Sequence, residues 1–154
     1  MDLAVYDTSN YQKVYTFVGH TAGGNGTIFN QDGSLLATPN ADGTVKIWDM
    51  ANGRELFTLS GHAGGVGDAA FSPGCVNPPE SPFAQCGQYL ATASRDKTIK
   101  IWDVTPAGNR EVVTVPGFGS FFNLDGKRLV TVVFDDPTTV TYHTWDMTTP
   151  GKER

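Results

Sequence analysis

All three tryptophans of this 154-residue chain, Trp48, Trp102 and Trp145, are followed by aspartate. Two of them close nearly the same phrase, VKIWD at 45–49 and IKIWD at 99–103, and TYHTWD at 141–146 is a weaker third. AVYD at 4–7 places Tyr6 where the others have tryptophan. Tyr6 to Trp48 is 42 positions, Trp48 to Trp102 is 54, and Trp102 to Trp145 is 43. The long interval holds an insertion: FNQDG at 29–33 corresponds to FSP at 71–73, then GCVNPPESPFAQC at 74–86, then Gly87. Removing it restores a period of 42. A fixed period of this length belongs to an array in which each unit buries its apolar face against its neighbours, and it excludes a single undivided core.

Each period carries four strand-like segments. The first has GTIFN at 26–30, SLLAT at 34–38, VKIW at 45–48 and ELFTL at 55–59; the second has GDAAF at 67–71, QYLATA at 88–93 and IKIW at 99–102. They are short, rich in β-branched and aromatic residues, and bounded by Gly, Asp, Asn and Pro, as strands are. With 18 glycines and 9 prolines, long helices are excluded and tight turns are abundant. Asp42-Gly43 suits a hairpin turn needing positive φ, and Arg95-Asp96-Lys97 occupies the matching place. The expected fold class is all-β.

Gly19-His20 and Gly61-His62, each followed by strand segments and then Trp-Asp at a period of 42, resemble the WD-repeat β-propeller family. The resemblance implies blades of four antiparallel strands. It divides the chain into the last two strands of a preceding blade at 1–18, a blade at 19–60, and a blade at 61–116 with the insertion at 74–86. A degenerate, incomplete blade at 117–154 follows. That last unit has Gly117-Phe118 in place of Gly-His, and FDDPTT at 134–139 reads as an enlarged loop. Thirteen strands are expected, too few to close a ring, so the expectation is an open arc of about three blades. The missing blades would lie in the same chain, of which this is a segment, or in a self-associated copy; a truncated reading frame with no stable fold is the third alternative.

His20, Thr38, Asp42 and Trp48 recur as His62, Thr92, Asp96 and Trp102. Histidine, aspartate and a hydroxyl invite comparison with nucleophilic catalysis. The set repeats with the fold, however, whereas a catalytic set occurs once, so no catalytic residue is assigned. The resemblance implies a structural hydrogen-bond network running from aspartate through histidine and hydroxyl to indole. Innermost strands offer only Asp68, Asn30 and Asn123 for chemistry in a channel, which leaves a propeller hydrolase the weakest reading. The three histidines fall in different periods and make no metal site, and no cofactor is expected. The glycines at 23–26 lack the Lys-Ser/Thr ending and the helix of a phosphate loop.

The leading function is a protein–protein interaction scaffold. By resemblance its contact face bears the loops before each first strand and the aspartate hairpins, where Asn25 and Arg95 have side chains of reach. A regulatory propeller segment of a bacterial multi-domain NTPase or kinase is the alternative. A net charge of −5 gives no pull toward nucleic acid or an anionic membrane. No apolar run approaches the roughly 20 residues of a membrane span, and no signal peptide is seen, so a cytoplasmic location is expected. Cys75 and Cys86 bracket the insert and could form a disulfide across its base, staying free in a reducing compartment.

Overall fold

The computed structural model describes residues 2–18, 26–73, 89–105, 108–124, 126–148 and 152–153. Among the described residues every regular element is a strand. β1 (Leu3–Tyr6) and β2 (Lys13–Phe17) form a two-stranded sheet. The first four-stranded sheet contains β3 (Ile28–Phe29), β4 (Leu35–Pro39), β5 (Val45–Asp49) and β6 (Arg54–Leu59). The second contains β7 (Val66–Phe71), β8 (Tyr89–Ser94), β9 (Thr98–Asp103) and β10 (Arg110–Pro116). The third contains β11 (Gly119–Phe122), β12 (Arg128–Asp136), β13 (Thr139–Asp146) and β14 (Lys152–Glu153). All pairings are antiparallel and in chain order, and the sheets do not close into a ring.

Side-chain alternation along each third strand decides how the sheets stack. Trp48 points back toward β1–β2, where its ring lies 4.6 Å from that of Phe17. Its neighbours Val45 and Ile47 point forward and are covered by Leu90, Trp102 and Val104 of the second sheet. Ile99 and Ile101 repeat this forward contact against Leu129, Trp145 and Met147. The tryptophan therefore always seals the interface behind it and the β-branched residues the one ahead. Full burial of each such isoleucine contributes about 2–3 kcal/mol.

The aspartate after each tryptophan caps the turn into the fourth strand. Asp103 Oδ1 accepts from the Thr105 N–H at 3.0 Å and its hydroxyl at 2.8 Å, and Asp146 does the same for Thr148. Asp49 accepts from the Ala51 N–H, and Asp7 from Ser9. This is why the Trp-Asp pair travels together: one residue fixes the interface and the next fixes the corner. At the opposite end of the strands Gly43 takes φ +86°, and a Cβ there would stand 2.6 Å from the His62 carbonyl oxygen. Lys97 holds the matching turn at φ +67°.

The third sheet differs from expectation in two ways. A fourteenth strand is present: β14 pairs Glu153 with Trp145, as Glu55 pairs with Trp48 and Glu111 with Trp102. The residues 134–139 do not enlarge a loop. Both strands continue outward, pairing Val133 with Thr141, Phe134 with Val140 and Asp136 with Thr139, beyond the level at which the sister hairpins turn.

Candidate functional site

The sequence-matched polar residues of the second sheet meet where the loop before β7 lies against β8, β9 and the turn between them. The loop before β7 runs between two hairpins: Arg95 N–H donates to the Gly65 carbonyl at 3.0 Å, and Val66 N–H donates to the Asn40 carbonyl at 3.0 Å. Glycine is required here because a Cβ on Gly65 would stand 2.9 Å from the Ala41 carbonyl oxygen. This seam carries His62 inward. Its Nε2 lies 2.8 Å from Thr92 Oγ1 and its Nδ1 3.0 Å from Asp96 Oδ2, while Trp102 Nε1 donates to Thr92 Oγ1 at 2.8 Å.

Donor and acceptor capacity fixes the direction of the bonds at both ends of that chain. An indole N–H only donates and an ionised carboxylate only accepts. Thr92 therefore accepts from Trp102, and His62 Nδ1 donates to Asp96; a neutral imidazole in this orientation accepts the Thr92 hydroxyl at Nε2. Burial acts to raise the Asp96 carboxyl, but the Thr98 hydroxyl, the Ala63 N–H and His62 outweigh it and hold it well below the usual carboxylate range. The arrangement has the connectivity of an acid–histidine–hydroxyl triad. Thr92 is fully buried, however, and its oxygen is already occupied by the indole, so no substrate reaches it.

In the first sheet Trp48 Nε1 donates to Thr38 Oγ1 at 2.9 Å, and Asp42 Oδ1 accepts from Thr44 N–H at 3.0 Å. His20, like Asn25, Cys75 and Cys86, lies outside the described residues. In the third sheet Trp145 Nε1 donates to Thr131 Oγ1 at 2.9 Å. Thr131 was not anticipated, because the longer hairpin sets it fourteen residues before its tryptophan while Thr38 and Thr92 stand ten before theirs. A sequence signal was present, since LAT at 36–38, LAT at 90–92 and LVT at 129–131 each end on the buried hydroxyl. Phe118 does not take the place of His62. Its N–H donates to the Val132 carbonyl, and its ring stands edge-on to Phe134 at 5.2 Å.

Arg95 is exposed on the face that carries the Asp42 and Asp96 turns, and its guanidinium meets no partner among the described residues. On the opposite face a cavity of about 490 Å³ opens where the turns after β3, β7 and β11 converge. Ile28, Phe29, Phe71, Pro73 and Leu124 line it, and none of the described lining residues is charged. Asp68 lies exposed on β7 with no second acid in the set that could hold a metal: among the described residues no group of three His, Cys, Asp or Glu converges. No helix among the described residues is long and apolar enough to cross a membrane.

The family description "WD domain, G-beta repeat" (WD40) matches residues 11–49 and 53–103. The chain is similar to nuclear distribution protein PAC1 of Arthroderma otae, 29% identical over 97% of this chain and 34% of that protein. It is also similar to eukaryotic translation initiation factor 3 subunit I of Aspergillus fumigatus, 36% identical over 74% of this chain and 31% of that one. A third relative, WD repeat and SOCS box-containing protein 1 of Xenopus tropicalis, is 38% identical over 53% of the chain and 17% of its own length. The chain thus spans about a third of the first relatives it matches. With two matched repeats, antiparallel four-stranded sheets in chain order and a Trp-Asp at every third strand, this chain belongs to the WD-repeat β-propeller family.

Proposed function

We propose that the chain is a non-catalytic, cytoplasmic protein-interaction scaffold, a sector of a larger WD-repeat propeller whose loop face meets protein or peptide partners. The observation that carries the reading is the use made of the acid–histidine–hydroxyl set of the second sheet: its hydroxyl is buried against an indole, so its polar chemistry goes into holding the sheet together. The relatives' names place one in nuclear distribution and one in a translation initiation factor, which is consistent with assembly roles and not with a shared reaction. Completion of the propeller comes from further blades of the same protein or from a second copy. Arg95, exposed on the loop face, and Asn25 are the contact residues proposed within this sector.

A photo-cross-linking residue placed at position 95, and in a second variant at Asp32 in a turn on the opposite face, tests this reading in cells that produce the chain. A discrete protein adduct from position 95 and none from position 32 is the expected result. Adducts from position 32 alone, or from neither, would sink it.

A further inference from the structure

The outward extension of β12–β13 has no counterpart in the other sheets. The sister hairpins end at the pairs Pro39–Val45 and Ala93–Ile99, which correspond to Val132–Tyr142. Everything beyond that level stands proud of the loop face on which Arg95 and the Asp42 turn lie. The protruding part is apolar on one side: Phe134 is 51% exposed, Val140 opposite it 43%, and Phe118, edge-on to Phe134, 39%. Val45 and Ile99, the sister positions of Tyr142, are fully buried, whereas Tyr142 is 68% exposed.

Three further observations say what this surface fits. The tip is acidic: Asp135 Oδ2 accepts from the Thr141 hydroxyl, and Asp136 Oδ1 accepts from the Thr138 hydroxyl and N–H, both at 2.7 Å. Those Thr138 bonds hold the Asp136 carboxyl down at about 2, so it is charged throughout the physiological range. At the base of the strip, beside Phe118, Gly117 N–H donates to the carbonyl of Lys97 on the neighbouring hairpin. Finally, β11 reaches β12 only as far as Val132, and β14 meets β13 only at Trp145 and Asp146. Among the described residues the protruding strands have no neighbour on either outer edge, which leaves main-chain groups open to an extended segment.

We propose that the protruding end of β12–β13 docks an extended peptide segment of a partner protein. Its apolar anchor lies on Phe118, Phe134 and Val140, and its basic flank on Asp135 and Asp136. The inference rests on the scaffold reading and locates its partner contact on the third sheet.

The test is fluorescence anisotropy of dye-labelled synthetic peptides against the full chain. One peptide carries a Leu-Phe pair followed by a lysine run, a second has glutamates in place of the lysines, and a third has serines in place of Leu-Phe. The first binds saturably and the other two do not. Phe134→Ser with Val140→Ser weakens binding about tenfold or more, the loss typical of removing a central apolar anchor. Asp135→Asn with Asp136→Asn weakens it about threefold at low salt and flattens its salt dependence, as expected for a rim charge. Asp32→Asn, on the opposite face, leaves it unchanged. Equal binding by both hairpin variants overturns the proposal, as does equal binding of the glutamate peptide or no binding of any peptide. If Arg95→Ala abolishes binding while both hairpin variants bind like the parent, the scaffold reading stands and the hairpin site does not.

Discussion

The hydroxyl at the centre of each polar chain is the residue on which the sheet interfaces turn. Thr92→Val keeps shape but strands two buried groups, the Trp102 N–H and His62 Nε2; Thr131→Val strands only the Trp145 N–H. An unsatisfied buried donor or acceptor costs about 1–3 kcal/mol, so Thr92→Val is expected to cost roughly twice what Thr131→Val does, read as midpoint shifts in urea. Asp96 adds a pH signature. Its carboxyl titrates lower in the folded chain than the unfolded value of about 4, so its stabilisation is complete above that pH and is lost as the pH falls through the folded value. Asp96→Asn should lower stability at pH 7 and flatten its decline below about pH 4, measured by denaturation at a series of pH values. Residue identities here were legible because donor and acceptor types recur at fixed offsets from tryptophan. Thr131 and the true place of Phe118 were not, because a hairpin lengthened on both strands moves a cross-strand partner by an even number of residues and leaves local composition unchanged.

At the scale of elements, the three sheets share one plan and the third follows it least. Lys46 pairs with Glu55 at 2.7 Å and Lys100 with Glu111 at 2.8 Å along the outer two strands, and His143 takes the lysine position beside Glu153. These partly exposed pairs are worth about 0–1 kcal/mol each, so the difference between sheets lies in strand length. β10 pairs with β9 from Thr98 to Asp103, whereas β14 covers only Trp145 and Asp146 of β13. Hydrogen-exchange mass spectrometry should find amides of β8 and β9 the slowest and those of β13 from Thr139 to Thr144 markedly faster; uniform protection would contradict the difference in pairing. β14 itself could have been read from the sequence. GRE at 53–55, NRE at 109–111 and GKE at 151–153 follow each Trp-Asp in turn. A charged two-residue strand lacks the alternation by which strands are recognised, so its identity rests on the repeat alone.

At the scale of the molecule, the stacking has a direction that the two end sheets leave unsatisfied. Every internal interface joins a forward face of small and β-branched residues to a backward face of leucine and tryptophan. The third sheet's forward face instead has Val130 where the others have Ala37 and Ala91, Tyr142 where they have Val45 and Ile99, and Thr144 where they have Ile47 and Ile101. Phe121 lies beside Val130 on β11, 52% exposed. The surface is bulkier and more hydroxylated than its sisters, so it fits a covering sheet with a smaller residue at the tryptophan position. At the other end Tyr6 and Val14 are exposed on β1–β2. Exposed faces of this kind drive sheet-to-sheet association when nothing covers them. The chain by itself should therefore show concentration-dependent mass in light scattering, and Phe121→Lys with Tyr142→Lys should shift it toward the monomer while leaving the tryptophan emission of the buried interfaces unchanged. In a longer protein that supplies the covering sheet, the same double substitution would bury two charges against it, and the expected effect reverses: the monomer loses stability by several kcal/mol. The sign of that one change thus reports whether a neighbouring blade or bulk water meets this face.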